Sequence, residues 1–152
     1  MNPVQKSSLI LPVLILMALL VGFTTGCSAG EAEMEAHKLE IASLAEMPAG
    51  VQSAPVSVQQ AYQFAAANPD ILQELPCYCG CGSMGHTSNY ACYISGQDTR
   101  GETVFDTHAL GCSICVDITQ DAMRLLKEGK SLPEIRMYVD ETYARYGPSN
   151  IP

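Results

Sequence analysis

Six cysteines fall between residues 77 and 115, as Cys77-Tyr-Cys79-Gly-Cys81, Cys92 and Cys112-Ser-Ile-Cys115. They constrain the fold more than any apolar pattern does. Residues 77–111 carry neither the helical period nor strand alternation, and Gly, Ser, Asn, Asp and Thr dominate there. A stretch this long without regular structure is uncommon in a compact domain unless a function or a crosslink orders it. The cysteines supply that crosslink. Two short strands are expected near Tyr90–Ile94 and Thr103–Phe105, with loops elsewhere.

Regular structure is predicted on both sides of this stretch. Ser57 caps a helix through Ala67, with Val58, Ala61, Phe64 and Ala65 on one face. Asn68-Pro69 opens a short second helix that Pro76 ends. From Ser113 to Glu128, Cys115, Ile118, Ala122, Leu125 and Leu126 recur at spacings of three and four. Gly129 closes that helix, and Ser131-Leu-Pro-Glu134 reads as a capping box for the last one. Ile135, Val139, Tyr143 and Tyr146 would face inward, and Gly147-Pro148 stops the chain's last turn. The predicted fold class is mainly α: a small helical domain over 56–147, with a Cys-rich loop region packed on a C-terminal αα-hairpin.

The amino terminus reads as an export signal. Lys6 precedes an apolar run from Leu9 to Phe23. As a helix, that run spans about 22 Å, short of the roughly 30 Å bilayer core. A signal peptide over 1–26 fits better than a membrane span. Thr24-Thr25-Gly26-Cys27 resembles a bacterial lipobox, with Thr24 where Leu is usual. Cys27 would then carry lipid and anchor the protein to the outer face of the cytoplasmic membrane, or to an outer membrane where there is one. The plainer reading is an ordinary secretory signal with a free Cys27. Residues 27–55 read as a disordered, flexible tether, with helical leaning from Glu31 to Met47 and a solvated His37. Residues 148–152 read as a tail.

Formal charge is -8. An acidic chain argues against nucleic acid as partner and against charge-driven docking on anionic lipid. No catalytic triad, P-loop or dinucleotide motif is present, so hydrolase and nucleotide roles have no support.

Three chemistries compete for the cysteines. Cys77, Cys79 and Cys81 alternate, so an extended segment would point all three thiols one way, about 6–7 Å apart. Gly80 and Gly82 would let the backbone bend round a ligand. Cys112 and Cys115 sit at a helix start, where the positive helix end favours thiolate. Met84, His86 and His108 lie nearby in sequence. Such donors suit copper(I) or zinc(II). The metal set is thus Cys77, Cys79, Cys81, Cys92, Cys112 and Cys115, with His86 and His108 as further candidates. Either histidine could instead bond the backbone. Asp106 and Asp117 could support ligands or cap helices. Three structural disulfides are the second reading, giving an interaction module with no cofactor, although neighbours in Cys-x-Cys cannot pair without strain. The third is thiol–disulfide exchange at Cys112/Cys115, the only enzymatic option, with a redox partner protein. A metal protein would hand its ion to a transfer partner.

Pro76-Cys77-Tyr78-Cys79-Gly80-Cys81 resembles the signature of the PCYCGC-motif family of bacterial exported proteins and lipoproteins. The resemblance continues through Gly85-His86, Cys92, Phe105-Asp106, His108 and Gly111-Cys112 to Cys115-Val116-Asp117. It implies an exported, Cys-rich domain and no particular reaction. Cys112 to Gly147 is also similar to the small three-helix thiol–disulfide proteins of cytochrome c maturation, whose CxxC would map to Cys112 and Cys115. The four upstream cysteines depart from that second pattern.

Overall fold

The apolar periodicities appear as helices. The computed structural model describes residues 39–151. Within them α1 is one turn, Ala49–Gln52; α2 spans Val56–Ala67, α3 Pro69–Gln73, α4 Ser113–Lys127 and α5 Leu132–Tyr143. Two strands, β1 (Ile94–Gln97) and β2 (Thr103–Phe105), pair antiparallel, Ile94 opposite Phe105 and Gln97 opposite Thr103. The chain is mainly α, as its pattern predicts. The signal segment, Cys27 and His37 lie outside the described residues. Among those described, no helix is long and apolar enough to cross a membrane.

α4 is the central element. It buries Cys115, Ile118, Ala122, Leu125 and Leu126 and packs against both α2 and α5. The predicted stop of α4 and start of α5 form as drawn. Gly129 takes φ 78°, and Lys130 N–H donates to Leu125 O at 2.9 Å, closing α4 in a Schellman turn. Ser131 and Glu134 form the capping box of α5. α5 buries Ile135, Val139 and Tyr143. Tyr146 is a correction: it is 51% exposed. The chain tightens into a 3-10 turn at Ala144–Tyr146, which rotates Tyr146 off the helical stripe. α2 begins one residue before Ser57, with Pro55 at the cap position.

The domain is also larger than 56–147. From residue 39 the expected tether lies along α2, where Ala42 and Gln63 exchange hydrogen bonds at 3.1 and 2.7 Å. Met47 and Val51 are buried. The described end of the expected 31–47 helix is coil followed by a 3-10 turn, Leu44–Glu46. The expected tail is pinned as well: Asn150 N–H donates to Cys77 O at 3.2 Å.

The first strand comes one turn later than expected, whereas the second spans Thr103–Phe105 as expected. Tyr90–Cys92 is a 3-10 turn that leads into β1. Asp106 N–H then donates to Tyr93 O at 2.8 Å, fixing the hairpin base beside the cysteines.

Candidate metal centre

Pro76 delivers the chain to Cys77 from the end of α3. Cys77 and Cys79 do not lie in an extended run. Their sulfurs stand 3.4 Å apart, about half the expected spacing. Tyr78 turns away between them and its hydroxyl donates to Asp140 Oδ1 of α5 at 2.6 Å. Gly80, at φ 85°, then reverses the backbone and starts a 3-10 turn, Cys81–Met84. A side chain disfavours that conformation; glycine adopts it freely. Gly82 needs no such freedom; its open Cα faces Asn150 instead.

The helix supplies the opposite wall. Cys112 is the N-cap of α4 and Cys115 lies in its first turn, their sulfurs 3.3 Å apart. Cys115 Sγ touches Cys77 Sγ at 3.3 Å and Cys79 Sγ at 3.6 Å. Cys81 Sγ touches Cys92 Sγ at 3.6 Å. The ligand atoms of Cys77, Cys79 and Cys81 lie within 4.8 Å of one another, as do those of Cys77, Cys92 and Cys115. All six thiols therefore belong to one connected cluster, and Cys77 joins its parts. None is disulfide-bonded. Two thiolates on one tetrahedral zinc, at about 2.3 Å from it, stand about 3.8 Å apart. The observed contacts are close to that spacing.

Both candidate histidines reach the cluster. His108 Nε2 is 3.4 Å from Cys79 Sγ. His86 groups with Cys81, Cys92 and His108 within 4.8 Å. Asp106 serves both histidines, one through its backbone and one through its ring: its Oδ1 accepts the His108 backbone N–H at 2.7 Å, and its Oδ2 lies 3.6 Å from His86 Nε2. His86 Nδ1 is buried without a hydrogen-bond partner. A carboxylate beside one ring nitrogen, with the other nitrogen buried and without a partner, is the kind of outer support a metal-ligating histidine has. Asp117 is exposed and takes no part in the contacts between donors. Met84 is 57% exposed and forms, with His86 and Asp106, part of the wall of a cleft of about 490 Å³.

Burial and crowding set the electrostatics. Hydrogen bonds from Cys115 and Cys92 hold the Cys77 thiol well below its ordinary range. Burial pushes Cys79 and Cys81 up, and the negative charge at Cys77 adds to it. Its hydrogen bonds to Cys77 and Cys92, then burial, raise Cys115. Without a cation, burial and mutual contact thus favour negative charge at Cys77 over charge at Cys79, Cys81, Cys92 or Cys115. A cation held by these cysteines would reverse that preference by stabilising the thiolates that ligate it.

Sequence reading missed the groups that hold this arrangement. Asn150 accepts the Cys77 N–H at 2.6 Å through Oδ1; its Nδ2 donates to Ser88 O at 3.0 Å and lies 3.5 Å from Cys81 Sγ. Under the cluster, Tyr93 hydroxyl donates to Cys115 O at 2.8 Å, and Thr119 hydroxyl donates to Asn89 Oδ1 at 2.8 Å. Asn89, Tyr93 and Thr119 are all fully buried. No spacing rule links these positions to the cysteines.

Fold and site together define a small helical protein with a partly buried thiol–imidazole cluster able to hold metal. Residues 13–151 match the family described as "Protein of unknown function with PCYCGC motif", and the chain belongs to that family. No curated protein and no solved structure matches it. The likeness of Cys112–Gly147 to the cytochrome c maturation proteins finds no support in these comparisons.

Proposed function

We propose that this protein is an extracytoplasmic lipoprotein that binds a soft metal ion, copper(I) in preference to zinc(II), as a chaperone, buffer or resistance factor at the cell surface. The convergence of six sulfurs into one cluster carries this reading. Thiolates select soft ions, and copper(I) is the softest common candidate. A reducing cytosol would keep such thiols free unaided, whereas outside it an occupant protects them. Cys27 supplies the anchor, through lipid, and the ion passes to a partner protein.

Thiol–disulfide exchange is the alternative reading that a specific contact favours, the 3.3 Å approach of Cys112 and Cys115 at a helix start. Against it, Cys115 Sγ also touches Cys77 and Cys79, which ties the pair into the larger cluster and does not leave it as an isolated dithiol.

Intact mass under native and denaturing, non-reducing conditions, with elemental analysis, tests these readings on protein isolated from membranes. Stoichiometric copper or zinc, with six titratable thiols in the domain once it is removed, is expected. No metal, with a mass about 6 Da below the reduced value, would mean three disulfides and sink the metal reading.

A further inference from the structure

The cluster holds more donors than one ion can use. A four-coordinate ion takes four ligands. Here six sulfurs and two imidazoles converge. The donors form two four-membered groups: Cys79, His108, Cys112 and Cys115 on the α4 side, and Cys81, His86, Cys92 and His108 on the loop side. The groups share only His108. That ring lies against the α4 side, with Nε2 3.4 Å from Cys79 Sγ. The loop side then needs one more ligand, and Cys77 is placed to give it. Cys77 groups with Cys81 and, separately, with Cys92, and it also touches Cys115 and Cys79 at 3.3 and 3.4 Å.

We infer that the centre is binuclear, with one ion position on each side of Cys77, whose sulfur is shared or bridging. The inference deepens the metal-binding reading and depends on it. One ion at the α4 side would leave Cys81 and Cys92 as buried spectators and His86 Nδ1 unpaired away from water. Buried polar groups are rarely left so. The loop side also has its own supports. Asp106 faces His86 Nε2, and Asn150 Nδ2 lies 3.5 Å from Cys81 Sγ, where it can donate to a thiolate. The α4 side has the positive end of a fifteen-residue helix. Each position is thus built from a different element and stabilised by a different group.

The test uses the full-length chain in detergent, reduced, stripped of metal and titrated anaerobically with cadmium(II). Native mass gives ions per chain, and cadmium NMR gives the number of distinct environments. Two ions and two resonances are expected. Cys112→Ser should lose the α4-side ion alone; Ser is a good N-cap, so the helix survives. Cys92→Ser should lose the loop-side ion alone, and the remaining resonances of the two variants should differ. Circular dichroism checks that each variant folds; Cys112→Ser carries the test if Cys92→Ser does not. Any number other than two ions in the parent protein, or loss of both ions together from Cys112→Ser, overturns the binuclear centre. Within that result, one or more ions still bound leaves the metal-binding reading standing, and no ion at all overturns both.

Discussion

Asp106 is the residue with most leverage on the centre, because one carboxylate touches both histidine segments. Asp106→Asn keeps an oxygen for the His108 N–H but removes the charge facing His86. Metal affinity should fall about 10–100-fold, as for other outer supports of ligating histidines. Competition against a chelator of known affinity reads this directly, and unchanged affinity would show that His86 is no ligand. Gly80→Ala tests the turn inside the motif. Nothing lies within 4 Å of the added carbon, so the cost is conformational alone. At φ 85° it should be about 1–2 kcal/mol in urea unfolding. At this scale the sequence was legible where chemistry is concentrated. Cysteines and histidines at short spacing are conspicuous. Asn150, Asn89 and Thr119 were invisible because their partners lie 26 to 73 residues away.

α4 and α5 were legible because their sequences carry a stripe, a stop at Gly129 and a capping box at Ser131–Glu134. The capping box of α5 makes this testable by pH. The Ser131 hydroxyl and N–H, together with Lys130, hold the Glu134 carboxyl down from 4.5 to about 2. A lowered carboxyl stabilises the fold above its unfolded value and loses that contribution as pH falls through the folded one. The contribution should therefore be full above pH 4.5 and fade towards pH 2. Glu134→Ala should flatten the acid limb of the stability curve in that window, as followed by thermal melts at several pH values. Ser131→Ala removes the other half of the box and should cost about 1 kcal/mol. The segment 39–55 was misread for the converse reason. It has no period, yet Met47 and Val51 fill places on the core that only tertiary packing reveals.

For the whole molecule, metal is expected to act as a ligand of the native state alone. At free metal a thousandfold above Kd, stability should rise by about 4 kcal/mol. That is a large share of the roughly 5–15 kcal/mol typical of a domain. The gain should be uneven. Hydrogen exchange should slow most over 77–111, which has little regular structure of its own, and least in the α4–α5 hairpin, which has its own caps and core. A uniform change, or none, would show that the loops are ordered without an ion. The bond between Asn150 and Cys77 has a further consequence, in time rather than energy. It spans 73 residues, and the contact of Cys77 with Cys115 spans 38. Such long loops close late, after local helices have formed. Early in folding the three thiols of the motif are therefore open to any oxidant or stray metal. The order in which the chain meets oxidant, ion and its own distant residues decides whether folding ends at a loaded centre or at a wrongly crosslinked one.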